Sequence, residues 1–253
     1  MKISILERPG EITASSFKQR LEKALEELKT ELNATTNLDG FTSNRWARIE
    51  IGGEDGEILA ELVANQYGLA HADIREIEVS GVYASVITRS TARGLEIDFG
   101  LEKSAHVKCS VPARHLIAQL ADGKNIQWGE IFENYCLFPG IPLSVRITRK
   151  TDKEIEAWLA DSQIERLSRW ITSGLDRIEV FDCYKQEVEA AILKANLSRD
   201  IISADQTTLT VQSLVCKLGT DAVGLIPKLG LVLKRQKLRP FIPRKIVARC
   251  RPW

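Results

Sequence analysis

The chain has 253 residues, of which 44% are hydrophobic and 27% charged, with a formal net charge of +1. That make-up belongs to folded domains with room for two or three modest cores, and it excludes a disordered or collagen-like chain. Apolar runs such as Ala222 to Ile226 fall far short of the roughly 18 to 20 residues of a membrane helix. The N-terminus MKISILERPGE turns charged too early for a signal peptide, so the expectation is a cytosolic protein without a membrane partner.

Lys2 to Glu7 alternates apolar and polar residues as a strand does, and Pro9-Gly10 ends it. Ser15 or Ser16 is placed to cap a helix in which Phe17, Leu21, Leu25, Leu28 and Leu32 recur every three or four residues. The polar run Ala34 to Asn44 reads as a loop, and WARIEI (46–51) as a second strand. GGEDGE (52–57) has the glycines of a phosphate loop, but its three acids would repel phosphate. It reads instead as a turn into a helix carrying Ile58, Leu59, Leu62 and Val63, completing a small α/β unit over residues 1–76.

Strand signals follow at Ile77 to Thr88, Leu95 to Leu101 and Leu143 to Thr148, with helical stretches at Pro112 to Ala121 and around Trp128 to Tyr135. Gly81-Val82, then a hairpin and GLEIDFG (94–100), resembles the opening of an S1-type oligonucleotide-binding (OB) barrel, and Pro142 to Ile147 its closing strand. The resemblance implies a barrel over 77–150 that contacts RNA through its second and third strands. Where such barrels carry an aromatic residue, this chain has Glu96. Tyr83, Arg89, Arg93 and Lys108 are then the barrel's candidate contacts.

Glu154 to Trp170 spaces Ile155, Trp158, Leu159, Ile164 and Leu167 as a helix would, giving a helical linker over 151–173. From 174 to 253 the order is strand (176–182), helix (185–196), strand (200–205), strand (209–218), helix (220–236) and a last strand at Ile242 to Ala248. That succession is the split-βαβ, ferredoxin-like order. The fold class is therefore α+β and multi-domain.

CKLGTDAVGLIPKLG (216–230) tests the nucleotide-enzyme idea. In a phosphate-cradling GxxxxGK[ST] loop the lysine follows the second glycine, whereas here Lys217 precedes Gly219 and Pro227 removes a helix amide. The stretch reads as a strand-to-helix turn capped by Thr220 or Asp221, with Thr220 a candidate contact for one backbone phosphate. This run, with Ser198-Arg199-Asp200 upstream and Pro240 to Arg244 downstream, resembles an archaeal family, domain of unknown function 2110. That resemblance implies a role in information processing and brings no catalytic residues.

No nucleophile motif such as GxSxG is present. The five cysteines at 109, 136, 183, 216 and 250 are odd in number and contain no CxxC. His106, Cys109, His115 and Cys136 could form a zinc set only by distant folding, and Asp98 is the carboxylate best placed for a strand-end cluster. The expectation is no metal, no cofactor and no catalytic residue.

Charge is the stronger signal. Residues 1–80 carry 9 basic and 15 acidic side chains, and residues 177–253 carry 14 and 7. The positive excess follows Cys216: Lys217, Lys228, Lys234, Arg235, Lys237, Arg239, Arg244, Lys245, Arg249 and Arg251 face one acid, Asp221. The expected function is non-enzymatic RNA binding, on free RNA or a ribonucleoprotein such as the ribosome. Lys234, Arg235, Lys237, Arg239, Arg244 and Lys245 would hold phosphates, supported by Arg89, Arg93 and Lys108. An adaptor that binds proteins through its acidic front and basic back is the alternative, and a nucleic-acid-processing enzyme the third.

Overall fold

The structure, a computed structural model, describes residues 1–10, 13–122 and 124–250. It is a mixed α+β fold with eight α-helices among the described residues, two open sheets and one closed five-stranded barrel. None of the described helices is long and apolar enough to cross a membrane.

The N-terminal unit is an antiparallel sheet ordered β1 (Lys2–Ser4), β3 (Ala47–Gly53), β2 (Ala34–Phe41). Helices α1 (Ala14–Leu28) and α2 (Gly56–Tyr67) complete it. Phe17, Leu21 and Leu25 of α1 lie one turn apart and pack with Ile49, Ile51, Leu59 and Val63. The cap of α1 is Thr13, whose hydroxyl accepts from Ser16 N at 3.3 Å, rather than a serine. The expected loop at 34–44 is largely β2. Its polar residues hid it because β2 is an edge strand in which only Leu38 is buried.

The barrel consists of β4 (Val82–Thr91), β5 (Gly94–Asp98), β6 (Lys108–Pro112), β7 (Pro142–Lys150) and β8 (Glu154–Leu159). Its closed order is β4-β5-β6-β8-β7, antiparallel throughout except for the parallel pair β6 and β8. Helices α3 (Ala113–Leu120) and α4 (Trp128–Asn134) lie between β6 and β7. Gly94 (φ +131°) permits the close pairing of β5 with β6, since a Cβ would stand 2.3 Å from Val111 O, and Gly100 (φ +83°) lets the segment after α2 approach the barrel, since a Cβ there would stand 2.3 Å from Ala70 Cβ.

The helix expected over Glu154 to Trp170 is instead β8 followed by α5 (Asp161–Thr172). Ile155, Ala157 and Leu159 point into the barrel at the two-residue period of a strand, while Trp158 points out. Counting Trp158 as apolar-inward created the helical spacing. The strand that closes the barrel onto β6 is β8, and Pro142 to Ile147 belongs to its neighbour β7.

The C-terminal unit runs β9 (Arg177–Phe181), α6 (Lys185–Lys194), β10 (Ile201–Gln206), β11 (Val211–Cys216), α7 (Ala222–Val232), β12 (Lys237–Phe241) and α8 (Pro243–Arg249). The sheet is antiparallel with order β10-β11-β9-β12. The strand expected at Ile242 to Ala248 is the helix α8, started by Pro243 in its first turn, and the edge strand is β12 just before it. Pro240 fits there because an edge strand needs no donor on its open side.

The three units share cores. Phe181, Val211, Phe241 and Ile246 join the apolar cluster of the barrel, and Tyr184 and Leu209 join that of the N-terminal unit.

Candidate functional site

A cleft of about 950 Å³ lies on the outer face of β4, β5 and β6, bounded on one side by the N-terminal unit. Five cations line it: Arg8, Arg89, Arg93, Lys108 and Arg114. Each arrives by a different route. Arg89 points outward from β4, and Arg93 sits in the two-residue turn between β4 and β5. Lys108 begins β6, Arg114 stands in the first turn of α3, and Arg8 reaches across from the N-terminal unit with its guanidinium 4.6 Å above Trp46.

Glu96, Asp98, Glu154 and Glu156 line the same cleft, so the cations differ in what they have left to offer. Arg89 grips Glu96 through two hydrogen bonds of 3.0 and 2.8 Å, which hold that carboxyl below the usual range. Arg114 reaches Glu156 at 3.5 Å, and Arg149 binds both Glu154 and Glu156. Arg8, Arg93 and Lys108 have no ion-pair partner within 4.0 Å among the described residues, although Lys108 is close enough to help hold the Glu96 carboxyl down. They are the cations open to an external anion. Asp98 accepts from Gly100 N at 2.7 Å and so serves the turn after β5.

The structure spreads the C-terminal cations rather than gathering them. Lys234 and Arg235 occupy the exposed turn between α7 and β12, and Lys237 and Arg239 alternate along β12. Arg239 and Lys245 meet at a groove of about 370 Å³ lined also by Glu133, Asn134 and Phe138, where Arg239 lies 5.0 Å over the Phe138 ring. Arg244 is paired with Asp221 at 3.1 Å and Arg249 with Glu130 at 3.0 Å. Arg251 lies outside the described residues.

Thr220 stands next to carboxylates. Asp221, the cap of α7, accepts from Gly224 N at 3.2 Å, and Asp176 accepts from Ala222 N at 3.2 Å. Two of the amides at this helix start, Ala222 N and Gly224 N, thus already donate to acids.

The helix-free face of the C-terminal sheet is covered. Phe138 meets Phe181 at 6.2 Å, Trp170 meets Phe241 at 5.3 Å, and Arg177 lies 4.4 Å over Trp170. Inside this joint Glu179 is only 1% exposed and accepts from Ser213 Oγ at 2.6 Å. Burial lifts its pKa to about 7 against the opposing pull of Ser213, Arg177 and Arg166. A second buried carboxyl, Glu7, accepts from Leu209 N at 2.8 Å where the N-terminal and C-terminal units meet, and burial lifts it to about 8.

The zinc candidates do not converge. Cys109 is in the barrel core with its thiol pushed up to about 12 by burial, Cys136 donates to Pro240 O, and His115 packs on Trp158. No group of three or more His, Cys, Asp or Glu among the described residues is arranged to hold a metal ion.

Of the four barrel candidates, Arg89, Arg93 and Lys108 line the cleft and Tyr83 does not, its hydroxyl accepting from Glu78 N at 2.8 Å; Arg8 and Arg114, which the sequence did not single out, line it as well. Only tertiary structure brings Arg8 and Arg114 to the cleft.

No curated protein matches the chain. Residues 175–239, from the start of β9 into β12, match the family model described as DUF2110 C-terminal domain, so the C-terminal unit is similar to an uncharacterised family.

Proposed function

We propose that this protein is a non-enzymatic RNA-binding protein that holds single-stranded RNA, free or within a ribonucleoprotein, along the outer face of its barrel. The cleft carries this reading: about 950 Å³ of open groove in which Arg93 and Lys108 stay unpaired beside Arg8. An RNA backbone supplies the repeated negative charge such a groove fits.

Topology supports it. The order β4-β5-β6-β8-β7, with β6 parallel to β8 and α3 after the third strand, is the arrangement of an OB barrel and agrees with the S1-like motif. The antiparallel order β10-β11-β9-β12 is that of a ferredoxin-like domain. Lys234, Arg235, Lys237, Arg239 and Lys245, all exposed, extend the phosphate contacts beyond the barrel.

Filter binding of single-stranded RNA over rising salt tests the proposal. Affinity present at low salt should fall with a log–log slope of about −0.7 per phosphate neutralised. Absence of binding at low salt would overturn the reading.

A further inference from the structure

The cleft itself is lined by no aromatic ring among the described residues, so it can hold phosphates but gives a base nothing to stack on. An indole stands just beyond it. On β8 the outward row is Glu154, Glu156 and Trp158, and the first two line the cleft. A strand rises about 3.3 Å per residue, which puts Trp158 roughly 7 Å past Glu156 on the same face.

Trp158 is 41% exposed, unlike the fully buried Trp46. An exposed indole offers a broad apolar face on which another ring can lie. Its ring is positioned rather than loose. The His115 imidazole packs on it with centroids 4.9 Å apart, Arg114 Nε donates to His115 Nε2 at 3.1 Å, and the same guanidinium reaches Glu156. Burial and the Arg114 charge hold the imidazole pKa down, which suits an accepting ring nitrogen. Arg146, opposite Trp158 across the β7–β8 pair, is turned to Asp161 and Ser80 O. At the other side, Ala113 N donates to Arg93 O at 2.8 Å, tying the helix that carries His115 to the turn that carries an open cation.

We propose that Trp158, braced by His115, is a nucleobase-stacking platform at the end of the cleft, taking an unstacked base of the strand whose phosphates Arg93 and Lys108 hold. This rests on the RNA-binding reading and deepens it: the ligand must be single-stranded, because inside a duplex both faces of a base are stacked on its neighbours. Stacking of this kind tolerates any base and releases no counterions. The device moves the aromatic function from β5, where Glu96 stands, to β8.

The test uses the full chain with a labelled oligoadenylate of about 12 nucleotides and an abasic strand of equal charge. Wild type should bind the oligoadenylate about 5- to 150-fold more tightly than the abasic strand, and Trp158→Ala should lose that preference with its salt slope unchanged. Trp158→Phe should keep most of the affinity while losing the change in tryptophan emission on binding, which guards against a misfolded alanine variant. Oligoadenylate binding by wild type that survives Trp158→Ala undiminished, or equal binding of both strands, would overturn the platform and leave the RNA-binding reading standing. Failure of wild type to bind either strand at low salt would overturn both.

Discussion

The outer face of the barrel and the helix-free face of the C-terminal sheet are both β surfaces edged with cations, but only the first is open. On the sheet, Phe181 and Phe241 project toward Phe138, Tyr135 and Trp170, and the rings close on one another. On the barrel, β5 and β6 present Glu96, Lys108 and Ser110 to a cleft without rings. A sheet surface that would suit bases is thus sealed as an internal joint, while the open surface is polar and suits phosphates. Positive charge in a sequence therefore does not by itself locate a binding face, because what the neighbouring unit covers decides it.

If the sheet face is a structural joint, breaking it should cost stability. Phe241 is fully buried between Trp170 and Tyr135, and Phe241→Ala should destabilise the protein by about 3–5 kcal/mol in urea unfolding. A loss below about 1 kcal/mol would mean that the joint is loose and the face accessible.

The joint should also respond to pH, more modestly. Glu179 and Glu7 have folded pKa values near 7 and 8, raised from an ordinary 4.5. Through that window the folded state holds more protons than the unfolded one. The contribution of these groups to stability is full below about pH 4.5 and is lost as pH rises through 7 and 8. Glu179→Gln, neutral at every pH, should flatten the lower part of that decline in unfolding curves taken from pH 5 to 8. An unaltered pH profile would place the carboxyl in a wetter setting than the joint provides.

Much of this was legible in the sequence where a single period ruled. The helix of Phe17, Leu21 and Leu25 and the strand of LSVRIT appear as read, and Gly94 stands where β5 closes on β6. Legibility failed where burial was one-sided or periods changed within a few residues. β2 exposes nearly all of its polar side chains, and β8 passes into α5 within two residues. The candidate site divides in the same way. Arg93 and Lys108 follow from a local motif, whereas Arg114 reaches the cleft through the placement of α3 beside β6 and Arg8 through the packing of the N-terminal unit on the barrel, which no local pattern encodes.

The central claim is that the open barrel face, through Arg93 and Lys108, holds the RNA backbone. The most direct measurement is the salt dependence of RNA affinity for wild type and for Arg93→Ala/Lys108→Ala. The double variant should bind more weakly at low salt, with a slope shallower by about 1.4 for two lost phosphate contacts. Equal affinity and an equal slope in the two proteins would contradict the account and move the RNA away from the barrel.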